Sequence, residues 1–113
     1  MIEVDFYKRQ EKLILTVNGH AGYAPKGFDI VCAGISSLCG ALVCQLEALE
    51  KQGLARELSF ELGDGYFRCY AEGEKDSGFY DHALQAFALT LRGIELIESG
   101  YPAHVKLCRG LTV

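Results

Sequence analysis

The stretch Gly19-His20-Ala21-Gly22-Tyr23-Ala24-Pro25-Lys26-Gly27-Phe28-Asp29 constrains the fold of this chain more than any other segment. Gly22, Pro25 and Gly27 break helix and strand alike, so much of the segment has to be loop. The residues on either side are strongly patterned. The chain therefore passes from one ordered element to another through a loop tethered at both ends. That loop carries His20 and Asp29, and Cys32 follows at once, which places an imidazole, a carboxylate and a thiol within thirteen residues. A mobile loop between rigid elements is one way to bring a cysteine nucleophile together with its base.

The flanking patterns define the elements. Ile2, Val4 and Phe6 alternate with Glu3, Asp5 and Tyr7, as in a half-buried strand. After the polar turn Lys8-Arg9-Gln10-Glu11, Leu13, Leu15 and Val17 share one face, which predicts a hairpin. From about residue 33 to 52 the period becomes helical, with Ile35, Leu38, Leu42, Leu46 and Leu49 three or four apart and Gly53 at the expected cap. Leu58, Phe60 and Leu62 alternate again, Gly63-Asp64-Gly65 signals a tight turn, and residues 66–71 form the return strand. A second helix is predicted over about 79–99, burying Ala83, Leu84, Phe87, Leu91, Ile94 and Ile97, with Gly100 as its cap. Pro102 prevents its continuation, and a last strand is placed at 103–109. The order ββαββαβ predicts one α+β domain over residues 1–113, a mainly antiparallel sheet packed with two long helices.

Composition excludes several function classes. Half of the 113 residues are apolar, enough for a sizeable core. The formal charge of -4 argues against direct nucleic-acid binding, which calls for a basic patch. Tyr66, Phe67 and Tyr70 accordingly read as sheet packing rather than a base-stacking platform. No stretch approaches the roughly 18 uninterrupted apolar residues of a membrane span. The start Met1-Ile2-Glu3-Val4-Asp5 has no secretory character, so a cytoplasmic chain is expected. Five cysteines fit free thiols in a reducing compartment. Cys39 and Cys44 read as core or near-core helix thiols, and Cys69 and Cys108 as sheet-packing residues. His20, Cys32, His82 and His104 show no paired ligand spacing, so neither metal nor cofactor is expected. Ser36-Ser37 lacks the G-x-S-x-G elbow, and the glycine loop lacks Walker spacing.

Cys32 is expected at the start of the first helix, where unpaired N–H groups and the helix dipole favour thiolate over thiol. The N–H groups of Cys32 and Ala33 are candidates to receive an oxyanion. His20 is the candidate base. Asp29 is a candidate to orient the imidazole, to bind substrate backbone, or to cap the helix. Ser36 lies one helical turn beyond Cys32 and is a candidate hydrogen-bond donor near the thiol. Gly22 and Gly27 would let the loop open and close, with Tyr23 and Phe28 as apolar walls around a substrate. Residue types and spacing alone leave open whether Cys32 is a nucleophile or a small buried apolar side chain.

The segment His20-Ala21, with Gly27-Phe28-Asp29-Ile30-Val31-Cys32-Ala33-Gly34-Ile35-Ser36, closely resembles the signature of the ribosomal-processing cysteine protease family, Prp. The resemblance extends over the chain in length and element order, but its specificity lies in residues 19–36. It implies a dyad of Cys32 and His20, with Asp29 and Ser36 also at motif positions. It further implies removal of the N-terminal extension of a large-subunit ribosomal protein precursor, cleavage after an aromatic residue, a homodimer, and a mobile loop over the site. Gly34 departs from the alanine common in the family. The alternative is a non-catalytic α+β module that associates with the ribosome or holds a small ligand.

Overall fold

The computed structural model describes residues 1–53, 55–74 and 77–110. Its elements run β1 (Ile2–Arg9), β2 (Lys12–Asn18), α1 (Ile30–Glu50), β3 (Ala55–Gly63), β4 (Tyr66–Gly73), α2 (Phe79–Gly100) and β5 (Val105–Arg109). The strands form one sheet in the order β3-β4-β2-β1-β5. Every pairing is antiparallel except β1 with β5, which is parallel. The chain therefore folds in the α+β class and element order that the alternation and helical periods predict.

Alternation sorts the sheet into two faces. Ile2, Val4, Phe6, Leu13, Leu15, Val17, Phe67, Cys69 and Ala71 are buried, while their neighbours in sequence point to the other face. Val31, Ile35, Cys39, Leu42, Leu46 and Leu49 of α1 close over the buried face, together with Phe79, Ala83, Phe87, Leu91 and Ile94 of α2. Phe6 and Phe87 meet with ring centroids 5.5 Å apart. Each such aromatic side chain contributes roughly 1.5–3 kcal/mol by leaving water.

Several expectations change in detail. Helix α1 begins at Ile30 rather than 33, because Asp29 caps it. Leu62 is 84% exposed, since β3 is an edge strand whose end runs past the helical layer. Leu84 and Ile97 are only partly buried. Gly100 is the last residue of α2, and Tyr101 is the cap. Cys44 and Cys108 are exposed, not packed inside. Cys44 sits on the solvent side of α1, and Cys108 lies in edge strand β5. The last strand starts at Val105, because the Pro102 turn closes with the His104 N–H on the Tyr101 carbonyl at 2.9 Å.

This topology gathers many chain ends at one place. Register pairs Asn18, the end of β2, with Glu3 near the start of β1 and with Tyr66 at the start of β4. Ile2 pairs with Val105 at the start of β5. Helix α2 comes back antiparallel to α1, so its C-terminal turn lies beside the beginning of α1. A Cβ on Gly34 would stand 3.0 Å from the Ile97 Cδ1, so the glycine lets α2 approach closely here. Residues 19–29 run across this end.

Candidate active site

Cys32 is the third residue of α1 and is partly exposed. Its sulfur accepts a hydrogen bond from the Ala21 N–H at 3.4 Å, across eleven residues of sequence. The backbone next to His20 is thus held against the thiol. The His20 ring takes another direction. It is 64% exposed, and its Nε2 lies 3.7 Å from the Asp64 Oδ1 in the β3–β4 turn. It packs over Gly65, where a Cβ would come within 2.6 Å of Nε2. No imidazole–thiol hydrogen bond joins His20 to Cys32 among the described residues. The His20 carbonyl accepts from the Met1 ammonium at 2.6 Å, and the Gly19 N–H donates to the Gly65 carbonyl at 2.8 Å.

Asp29 uses both carboxylate oxygens. Oδ1 accepts from the Val31 and Cys32 N–H groups, each at 3.0 Å, and so caps α1. Oδ2 accepts from the Tyr23 N–H at 3.0 Å and the Ala24 N–H at 3.3 Å, and so fixes the loop to the helix. These bonds, led by that from Cys32, hold the Asp29 carboxyl below its ordinary value of 3.8. The capping role is therefore the one the structure gives Asp29; it makes no contact with the imidazole among the described hydrogen bonds.

This arrangement corrects one sequence expectation. The Cys32 N–H is taken by Asp29 Oδ1, and the Ala33 N–H donates to the Asp29 carbonyl at 3.0 Å. Neither amide is free to receive an oxyanion, because a well-capped helix consumes the donors that a bare terminus would offer. The donor that does face the sulfur is the Ala21 N–H. Ala33 and Ser36 are exposed on the outer side of α1.

Exposed apolar side chains precede Cys32 in the loop and the first turn of α1. Phe28 is 78% exposed, Ile30 57% and Tyr23 44%, an apolar rim of the kind that marks a binding surface. Gly22 and Gly27 both adopt positive φ, and open space surrounds the Cβ position at each. The Tyr23 ring meets Tyr101 and His104 edge-on, with centroids 5.3 and 5.4 Å apart. His104 Nδ1 lies 2.8 Å from the Ala21 carbonyl.

Sequence reasoning missed Asp64 and His104 as neighbours of the site. The Gly63-Asp64-Gly65 signal gave the turn but not what packs on it. His104 was expected inside the last strand, and only the parallel β1–β5 pairing brings it next to Ala21.

Comparison with known proteins gives a consistent result. The family model described as cysteine protease Prp matches residues 1–106. The essential ribosomal processing protease Prp from S. aureus, in complex with a covalently linked product peptide, is similar at a TM-score of 0.74 and 27% identity; the match covers 96% of this chain and 99% of that one. SMU.848 from Streptococcus mutans is similar at a TM-score of 0.68 and 29% identity, with 97% and 94% covered. The S. aureus protease in complex with a substrate peptide gives 0.67 and 26%, with 96% and 99% covered. A comparison with curated proteins finds no match.

Proposed function

The chain belongs to the cysteine protease Prp family, and on that premise we propose that it removes the N-terminal extension of a large-subunit ribosomal protein precursor, cutting after an aromatic residue with Cys32 as nucleophile and His20 as base. One observation carries the reading. The Cys32 sulfur sits at the first turn of α1, partly exposed, and is held against the Ala21 amide next to His20.

The geometry described above is a resting one. The thiol accepts from the Ala21 N–H, and the imidazole lies over the β3–β4 turn. Substrate seated on the Tyr23, Phe28 and Ile30 rim moves the loop about Gly22 and Gly27, and the His20 ring swings off the β3–β4 turn to the sulfur. His20 then takes the Cys32 proton, and the sulfur attacks the scissile carbonyl. The Ala21 N–H, which lies against the sulfur, then serves the resulting oxyanion. The imidazolium protonates the leaving amine, and water, activated by the same ring, releases the acyl group.

The enzyme works in the cytoplasm, where ribosomal precursors are made, and as a homodimer. The outer face of α1 supports that state. Ser37, Gly40, Ala41 and Cys44 are exposed there, and the helix carries no charge before Glu47. On α2 the exposed Leu89 and Leu96 add apolar side chains on either side of the Arg92–Glu95 ion pair. Sedimentation at micromolar concentration is expected to give a dimer.

The deciding experiment is cleavage of a precursor peptide with an aromatic residue before the cut. Wild type cleaves it; Cys32→Ala and His20→Ala do not. Undiminished cleavage by Cys32→Ala would remove the nucleophile assigned here. A folded wild type that leaves the true precursor intact would favour a binding role for the domain in this organism.

A further inference from the structure

We propose that His104 is a positioning residue for the chemistry of Cys32: it clamps the Ala21 carbonyl and so aims the Ala21 N–H at the sulfur. The proposal rests on the thiol role assigned above and adds a residue outside the 19–36 motif. Two contacts define the clamp. His104 Nδ1 is 2.8 Å from the Ala21 oxygen, and the Ala21 nitrogen is 3.4 Å from the Cys32 Sγ. A carbonyl oxygen only accepts, so Nδ1 carries the proton and donates, whether the ring is neutral or charged.

A clamp needs a fixed base, and His104 has one. Its carbonyl accepts from the Ile2 N–H at 2.9 Å, and its own N–H donates to the Tyr101 carbonyl at 2.9 Å. The first bond ties it to β1, an interior strand of the sheet, and the second to the turn that ends α2. Ala21 is correspondingly enclosed. It is 2% exposed, although Gly22 and Tyr23 beside it are exposed. Ala21 therefore divides the loop. On its C-terminal side Gly22 can pivot; on its N-terminal side is the imidazole that has to reach the sulfur. Holding this residue fixes both the donor at the reacting centre and the point from which the His20 ring swings.

A purely structural role makes a different prediction, because the His104 ring also packs edge-on with Tyr23 at 5.4 Å. Two substitutions separate the roles. His104→Asn keeps an N–H donor near the Nδ1 position and loses the ring. His104→Phe keeps a ring against Tyr23 and loses the donor. Two readouts are needed: kcat and KM for the precursor peptide, and the rate at which iodoacetamide labels Cys32 at pH 7, resolved by site in a mass spectrometer.

His104→Phe is expected to lower kcat and the Cys32 labelling rate about three- to tenfold, the range for loss of one hydrogen bond, with KM within about twofold. His104→Asn is expected to restore both to within about twofold of wild type. Wild-type rates in His104→Phe, or His104→Asn as slow as His104→Phe, would overturn the proposal. Labelling needs no substrate. If wild type cleaves no peptide, the assigned function fails, and the order of labelling rates still decides the role of His104.

Discussion

Cys32 and Cys39 stand two turns apart on α1, on the same side of the helix, yet in different surroundings. Cys39 is 5% exposed among Leu, Ile and Phe side chains, and burial pushes its thiol up to about 12. Cys69, fully buried in β4, is pushed up to about 12 for the same reason. Both stay protonated at neutral pH and behave as small apolar groups. Cys32 is at the end of the same stripe, where the sheet stops and the loop begins. There it meets an N–H donor, a capping carboxylate and solvent. Reactivity along this helix thus depends on where the core ends rather than on residue type.

The largest test of that contrast is substitution at its two ends. Cys32→Ala is expected to reduce peptide cleavage by about a thousandfold or more, as for loss of a nucleophile. Cys39→Ala should stay within about threefold. Equal losses would erase the distinction.

Stability should show the opposite order. Cys39→Ser places a hydroxyl in the core and should cost about 1–3 kcal/mol in urea unfolding. Cys44→Ser, on the exposed face, should stay within about 0.5 kcal/mol. Similar values at both sites would mean that Cys39 is not the core residue described.

Alkaline pH sharpens the comparison further. The folded-state values of Cys39 and Cys69 lie above the ordinary 9.0, so above that pH the unfolded chain binds fewer protons than the folded one. Stability is therefore expected to fall progressively from about pH 9 towards 12, and replacing both thiols by Ala should flatten that fall. Thermal unfolding at a series of pH values measures it.

The smallest effect is at Asp29. Its folded-state value is depressed, so its hold on the loop is complete above the ordinary 3.8 and is lost as pH falls through the lower folded value. Protonation should free the Tyr23 and Ala24 amides, and Asp29→Asn should mimic it at neutral pH. Hydrogen exchange at those two amides, relative to the intrinsic rate at the same pH, should rise several-fold in both cases; an unchanged ratio would show that Oδ2 does not hold the loop.

Much of the architecture was legible because its causes are local. Strict alternation in β1, β2 and β4 and three-four spacing in α1 and α2 identify the buried faces. Legibility failed where a neighbour decides burial. Leu62 alternates correctly but lies at an uncovered edge, and Cys44 lies on a helix face that no sheet covers. At the site, the motif placed Cys32, His20 and Asp29 in one segment. It left helix capping as one of three roles for Asp29, and it did not reveal that His20 would face Asp64. Such choices depend on which donors and acceptors meet after folding.

By itself, then, the sequence determined the element order, the loop between β2 and α1, and a thiol at the start of a helix, since periodicity, glycine and proline act over a few residues. Only the tertiary structure decided the sheet order, the resting direction of the His20 ring, and the arrival of His104 beside Ala21, 83 residues away in sequence. Those outcomes follow from strand pairing and helix packing, which join distant segments through shape and hydrogen-bond satisfaction that no local pattern encodes.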